Sequence, residues 1–359
     1  MRCSCALDSL AFLFVLGCGE ADGPVHPPGS GDLLAEGKLV STIAFTSTRH
    51  DPTATTPPAI FLATEIYLMR DDGTNVYRLT FNAAGDAFAA LSPQGDRIVF
   101  DSNRLRDPLT EPLNTSDLFV MNPDGSAQTW LLRGSSASWH RDGAVIAYHA
   151  SASGTGLPIR PDPGSATTDS DLFVLNVNDC LATRAQDPAF DCRPLATNLT
   201  NTPEFIEDDV DWSPDGKKVV FTRHGVNDPH LNAATAEIYH LNLKTGQLKR
   251  LTDNSEEERG PDWSPDGSRV VYSCRKGTRF DLCTMNMDTT AVVQLTSTVT
   301  EAELTATWSP DAQHVVFHKF FGGANQLFKI RTDGTGAAIQ LTNVGHNLLA
   351  NWGVLRAVD

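Results

Sequence analysis

The sequence predicts an all-β protein, a six-bladed β-propeller of four-stranded antiparallel blades whose ring is closed by the C-terminal strand. Three observations carry that expectation. Between residues 209 and 296 nearly the same passage is written twice, first as DVDWSPDGKKVVF with EIYHLNLKTGQLKRLT, then as GPDWSPDGSRVVY with DLCTMNMDTTAVVQLT. The columns of that passage recur along the chain, with no helical period of useful length between them. Finally, the two ends of the chain each hold one incomplete unit. A four-strand unit cannot bury both of its faces alone, so it stacks on copies of itself.

Within each unit an approach strand ends in Trp, as at Trp212 and Trp263, and an SPDG turn follows. Pro214 and Pro265 preset φ at the first corner, and Gly216 and Gly267 supply the positive φ that lets the hairpin resume its twist. The second strand ends in an aromatic residue at Phe45, Phe100, Tyr148, Phe221, Tyr272 and Phe317. Third strands follow with Ile66, Leu118, Leu172, Ile238, Leu282 and Leu327, and closing leucines fall at 79, 132, 199, 251, 295 and 341. The third unit is the longest, with insertions at 151–170 and 177–195, and loops at 51–60 and 105–116 interrupt the first two. The first unit lacks an approach strand before Phe45, while Asn347 to Val354 is an approach strand with Trp352 in the Trp column. Joining it to the blade begun near Lys38 removes the edges that an open array would expose.

Of 359 residues 40% are hydrophobic, enough for a large core, and the net charge is −16 from 28 basic and 44 acidic side chains. That balance argues against nucleic acid or anionic lipid as a partner and leaves cations or basic protein surfaces. Residues 1–17 read as a signal peptide, with Arg2 ahead of an apolar stretch too short to span a bilayer. It ends in Val15-Leu16-Gly17-Cys18, which resembles a bacterial lipobox, so Cys18 is the expected lipid attachment point; an ordinary secretory signal is the other reading. Residues 18–37 form the lipidated Cys and a flexible Pro/Gly/acid-rich tether, and 38–359 the propeller. Four cysteines then remain, Cys180, Cys192, Cys274 and Cys283, and export favours the two local disulfides. A zinc site is the other reading, although neither pair has zinc-knuckle spacing.

The set WSPDG, VVF, an acid followed by Ile or Leu, and a terminal LT resembles the TolB-type β-propeller repeat over about residues 38–355. The second, third and sixth units depart from it with LSPQG, WHRDG and WSPDA. TolB carries an α/β domain ahead of its propeller, where this chain has only the tether, so a Tol–Pal role is not implied. Similar propellers also accompany the hydrolase domain of prolyl-oligopeptidase-like enzymes, but the sequence has no Gly-x-Ser-x-Gly elbow.

Five residues before the Trp column stand Asp86, Gly134, Glu207, Glu258, Glu303 and Asn347. Propeller topology would bring the carboxylates Asp86, Glu207, Glu258 and Glu303 around one mouth of the channel, with Asp208, Asp209, Glu256, Glu257 and Glu301 nearby. Such a ring could hold a cation, Ca²⁺ being the hard-ion candidate, or a basic partner. Alternatively each acid caps backbone N–H groups or pairs with an Arg. A second column, Glu65, Asp117, Asp171, Glu237 and Asp281 with Gln326, opens the third strands, and Arg49, Arg104, Arg223 and Arg275 lie across the same hairpins. This predicts a repeated intrablade ion pair. His149, His224 and His318 stand at the ends of second strands in three blades. Oligogalacturonate lyases are similar propellers that hold a metal with His residues from separate blades.

The expected function is therefore a lipid-anchored, non-catalytic module of the cell envelope that binds an envelope protein or small ligand at the channel mouth. It requires no cofactor, touches membrane only through its anchor and acts as a monomer. Gly19, in place of an Asp after Cys18, favours the outer membrane. The alternative is a metal-dependent polysaccharide lyase using the three histidines.

Overall fold

The computed structural model describes residues 39–51, 63–107, 111, 115–151, 170–225, 236–254, 256–298 and 301–356. The expected signal peptide, Cys18, the tether and most of the loops at 51–60 and 151–170 lie outside the described residues. Six four-stranded antiparallel sheets form a ring, and among the described residues no helix is long and apolar enough to cross a membrane. Blade 4, for example, runs from Phe205–Trp212 at the channel through Lys218–Gly225 and Glu237–Asn242 to Leu248–Arg250 at the rim. Blade 1 is assembled from both ends of the chain. Its innermost strand, Asn347–Arg356, pairs with Leu39–Ser47 from Leu39↔Arg356 to Ser47↔Asn347.

Alternation along each strand decides where the core lies. The aromatic column Phe45, Phe100, Tyr148, Phe221, Tyr272 and Phe317 is completely or almost completely buried. The apolar residues sort into six clusters, and each cluster draws on two neighbouring blades. No blade owns a core, which is why the array must close.

The turns behave as their residues dictate. Ser213 donates to Asp215 Oδ1 at 2.7 Å, and the Ser213 hydroxyl accepts from Lys218 N at 2.9 Å. The same clasp recurs at Ser264–Asp266 and Ser309–Asp311, and at Ser92–Asp96 with the acid displaced by two positions. In the sixth blade Ala312 takes the glycine's place and its left-handed backbone, at φ 58°.

The insertion at 177–195 departs from expectation, because it contains a helix, α1 (Val177–Gln186). Asn176 caps it by accepting from the N–H groups of Asn178 and Asp179. Only Val177 and Cys180 of its residues are buried, so it carries no apolar stripe for a periodicity search to find. Both local disulfides form, Cys180–Cys192 and Cys274–Cys283. Cys192 N donates to Leu131 O at 3.2 Å and the Arg184 guanidinium lies 5.1 Å from the Trp130 ring centre, so the insertion fastens blade 3 onto blade 2.

Candidate functional site

All six innermost strands are bulged at the same place, three residues before the Trp column. Register breaks there in every ladder. Phe88, Ser136, Asp209, Gly260, Thr305 and Leu349 adopt φ between 50° and 58°, although only one of them is glycine. A left-handed non-glycine residue costs about 1 kcal/mol, so five of them in one ring mark backbone held by its surroundings. Three of the bulge N–H groups are satisfied across blade boundaries. Ser136 N donates to Asp101 Oδ1 at 3.2 Å, Gly260 N to Thr222 Oγ1 at 3.3 Å and Thr305 N to Ser273 Oγ at 3.2 Å.

The residue directly before each Trp position completes the ring. Leu91 N donates to Asn351 Oδ1 at 3.0 Å, Trp139 Nε1 to Ala90 O at 3.1 Å, and Ser138 Oγ to Asp211 Oδ1 at 2.7 Å. Trp263 N donates to Asp211 Oδ2 at 2.8 Å, Trp308 N to Asp262 Oδ2 at 2.9 Å, and Trp352 N to Thr307 Oγ1 at 3.1 Å. Every blade is thus hydrogen-bonded to the next around the channel.

These residues enclose a cavity of about 480 Å³ that extends from the bulge ring to Pro93, Pro214, Pro265 and Pro310 at the turns. Asp209, Asp211 and Asp262 line it, with Arg141 as the one cation among its lining residues. Burial raises the pKa of Asp211, and burial plus the Asp211 charge raise that of Asp262 well above the usual carboxylate value. Trp212 is also a wall residue, and its Nε1 is buried with no hydrogen-bond partner among the described residues.

Residues 210–354 match the family model of the TolB beta propeller domain. That match spans about two fifths of the chain, and over those residues the chain is similar to that family. An uncharacterized protein of Agrobacterium fabrum is 24% identical over 173 residues, which are 44% of this chain and 57% of that protein. The Tol-Pal system protein TolB of Francisella tularensis subsp. mediasiatica is 26% identical over 87 residues, 24% of this chain and 18% of that one. The matched stretches therefore span well under two thirds of these relatives. Among solved structures, TolB from Acinetobacter baumannii superposes with a TM-score of 0.63 at 16% identity, covering 87% of this chain and 66% of that chain.

In this propeller the four candidate acids do not line the cavity, which corrects the expected ring at the mouth. Asp86, Glu207, Glu258 and Glu303 are at most 2% exposed. Each sits at a joint between blades. Asp86 is held by Arg104 at 2.9 Å and Asn82 Nδ2 at 2.6 Å, and Glu207 by Arg223 at 3.0 Å and Thr202 Oγ1 at 2.9 Å. Asn254 Nδ2 donates to Glu258 at 2.8 Å, and Lys319 Nζ stands 4.0 Å from Glu303. Burial pushes the Glu207 and Glu303 carboxyls up, opposed by these hydrogen bonds and cations.

The expected ion pair is also crossed. Arg104 and Arg223 bind first-strand acids, Arg275 binds Glu257, and Arg49 binds Asn347. Third-strand acids turn to the rim instead, Glu65 to Arg78, Asp117 to Arg133 and Glu237 to Arg250. Asp171 and Asp281 take Asn198 and Gln294 there. The terminal Thr of the repeat has its own task, accepting the third strand's N–H at 2.9–3.0 Å in five blades.

The three histidines do not converge, and no group of three His, Cys, Asp or Glu able to hold a metal occurs among the described residues. His318 Nδ1 contacts Thr305 Oγ1 at 2.7 Å in its own blade. His149 is buried, which lowers its pKa to about 4. His224 pairs in register with Ile206. The residues that sequence reasoning missed are those before the Trp column, Ser138, Asp211, Asp262, Thr307 and Asn351. Polar side chains in five of six repeats at one inward position were the available signal.

Proposed function

We propose that the protein is a lipid-anchored, non-catalytic binding module of the bacterial cell envelope, attached through Cys18 and facing an envelope partner. The observation that supports this reading is the open cavity at the ring's centre, with three aspartates in its wall. It offers Asp209, Asp211 and Asp262 to a ligand bearing a cationic or amide-donor group. The ligand seat proposed is this cavity, in place of the four buried acids.

The test replaces Ser136 in the cavity wall, or Val293 at the exposed rim, with a photo-crosslinking residue and irradiates intact cells. Adducts are expected at Ser136, absent at Val293, and weakened at least several-fold by Asp209→Asn with Asp262→Asn; Asn retains the acceptor that Trp308 N uses. Equal labelling at both sites, or labelling indifferent to the two acids, overturns the cavity as the seat. Cys18→Ala should abolish fatty-acid labelling and move the protein out of the detergent phase, and an unchanged partition counts against the anchor. Stoichiometric zinc or manganese in untagged protein would overturn the non-catalytic reading.

A further inference from the structure

The joints between blades are built from two columns, a third-strand residue of one blade and a first-strand residue of the next. At the joint from blade 1 to blade 2 these are Glu65 and Asp86, with Arg78 on the first at 2.6 Å and Arg104 on the second at 2.9 Å. At the joint from 3 to 4 the first-strand acid Glu207 has Arg223, and at the joint from 5 to 6 Glu303 faces Lys319. Where blade 6 meets blade 1 both columns hold amides, and Asn347 Nδ2 donates to Gln326 Oε1 at 3.0 Å.

The joint from blade 4 to blade 5 differs. Glu237 and Glu258 are 1% and 2% exposed, and Glu237 Oε2 and Glu258 Oε2 are both buried without a donor among the described residues. Their carboxyls lie within hydrogen-bonding reach of one another. In register, Arg223 stands opposite Glu207 and Lys319 opposite Glu303, but Cys274 stands opposite Glu258. Cys274 is bonded to Cys283 and brings no charge to that position.

Among the described residues the surroundings supply no substitute. Arg250 binds Glu237 at 2.6 Å and Asp253 at 3.0 Å, and Arg275 and Arg259 both bind Glu257. Arg223, opposite Glu237 in the other ladder, gives its charge to Glu207. Tyr272 on the adjoining strand is kept neutral by burial and by these two carboxylates. Asn254 and Thr252 contribute only dipoles.

We infer that Glu258 keeps a proton that it donates to Glu237 and that this proton fastens blade 4 to blade 5, making this seam a pH-operated joint. With the proton present, the pair reproduces the donor–acceptor geometry that Gln326 and Asn347 keep permanently. Without it, two buried charges face each other across a blade boundary, and the one cation on the pair, Arg250, sits on Glu237 and is shared with Asp253. Burial, and next to it Glu237, raise Glu258 from the ordinary value of 4.5 to about 7. A raised folded-state value means the stabilisation is complete below the unfolded value and is lost as pH rises through about 7. The seam is tight in mild acid and loosens above neutrality.

The experiment is thermal unfolding of the full chain at pH 5.5 and pH 8. Wild type is expected to melt several degrees lower at the higher pH, and Glu258→Gln to melt higher than wild type at pH 8 with a flattened pH dependence. Glu207→Gln, which strands Arg223, should lower the melting temperature at both values. A loss in Glu258→Gln that is equal at both pH values overturns the inference. If that variant does not fold, carboxyl ¹³C titration of wild-type Glu258 decides: a midpoint near 7 supports the joint, and one near 4.5 overturns it. Stabilisation by calcium chloride that is lost in Glu258→Gln would assign the pair to a cation, and would also overturn it.

Discussion

Ala312 shows how much a single backbone position can matter here. It occupies a left-handed site, φ 58°, that glycine fills in the other SPDG-type turns, as at Gly216 (70°) and Gly267 (74°). The clash between Cβ and the following carbonyl costs about 1 kcal/mol, and glycine avoids it. Ala312→Gly is expected to raise stability by roughly 0.5–1 kcal/mol, read as a rise of a degree or more in calorimetric melting temperature. No gain, or a loss, would mean that the turn tolerates the methyl group without strain. Gly95 illustrates the opposite constraint. A Cβ there would lie 2.6 Å from the backbone N of Arg356, which itself donates to Gly95 O at 2.8 Å. The turn of blade 2 therefore touches the strand that closes the ring.

At the scale of elements, the two disulfides act on different parts of a blade. Cys180–Cys192 closes a stretch of 12 residues around α1, and Cys274–Cys283 closes one of 9 across a hairpin. Loops of that length stabilise by about 3 kcal/mol each on the chain-entropy account. Replacing Cys180 and Cys192 together by Ser should lower the melting temperature by several degrees and expose residues 177–195 to limited proteolysis. The ring should survive, because the insertion is fastened at the rim and not at the channel. Collapse of the whole fold on that double replacement would show that the ring cannot stay closed without this rim fastening.

The whole molecule depends on closure. Asn347–Arg356 forms the innermost strand of blade 1 and also reaches both neighbours, through Asn351 to Leu91 and Trp352 to Thr307. Deleting residues 347–359 removes that strand, breaks two links of the hydrogen-bonded ring and exposes the edge of Leu39–Ser47. An unpaired edge beside an opened core favours aggregation. The truncated chain should elute as aggregate in size-exclusion chromatography, or melt far below the full chain. A truncated monomer with unchanged melting would mean that the ring does not need its closing strand.

Blade number, blade order and ring closure are legible in the sequence, because they rest on local chemistry. Alternation with a period of two, a turn that needs Pro and a positive φ, and a closing Leu-Thr are all written within a few residues of where they act. The local disulfides share that property. The partner of each charge is not written locally. Arg104 could reach Asp117 across its hairpin, yet it binds Asp86 on the other side, and Asp117 turns to Arg133 and Trp130. The acids read as a solvent-facing ring are buried because the neighbouring blade packs over them and brings Asn82, Thr202 or Asn254 to meet them. The bulge ring left no composition to read, since Phe, Ser, Asp, Gly, Thr and Leu all occupy it. Only the packing of six blades around a common axis sets those φ angles, shapes the cavity and decides which carboxyl must keep its proton.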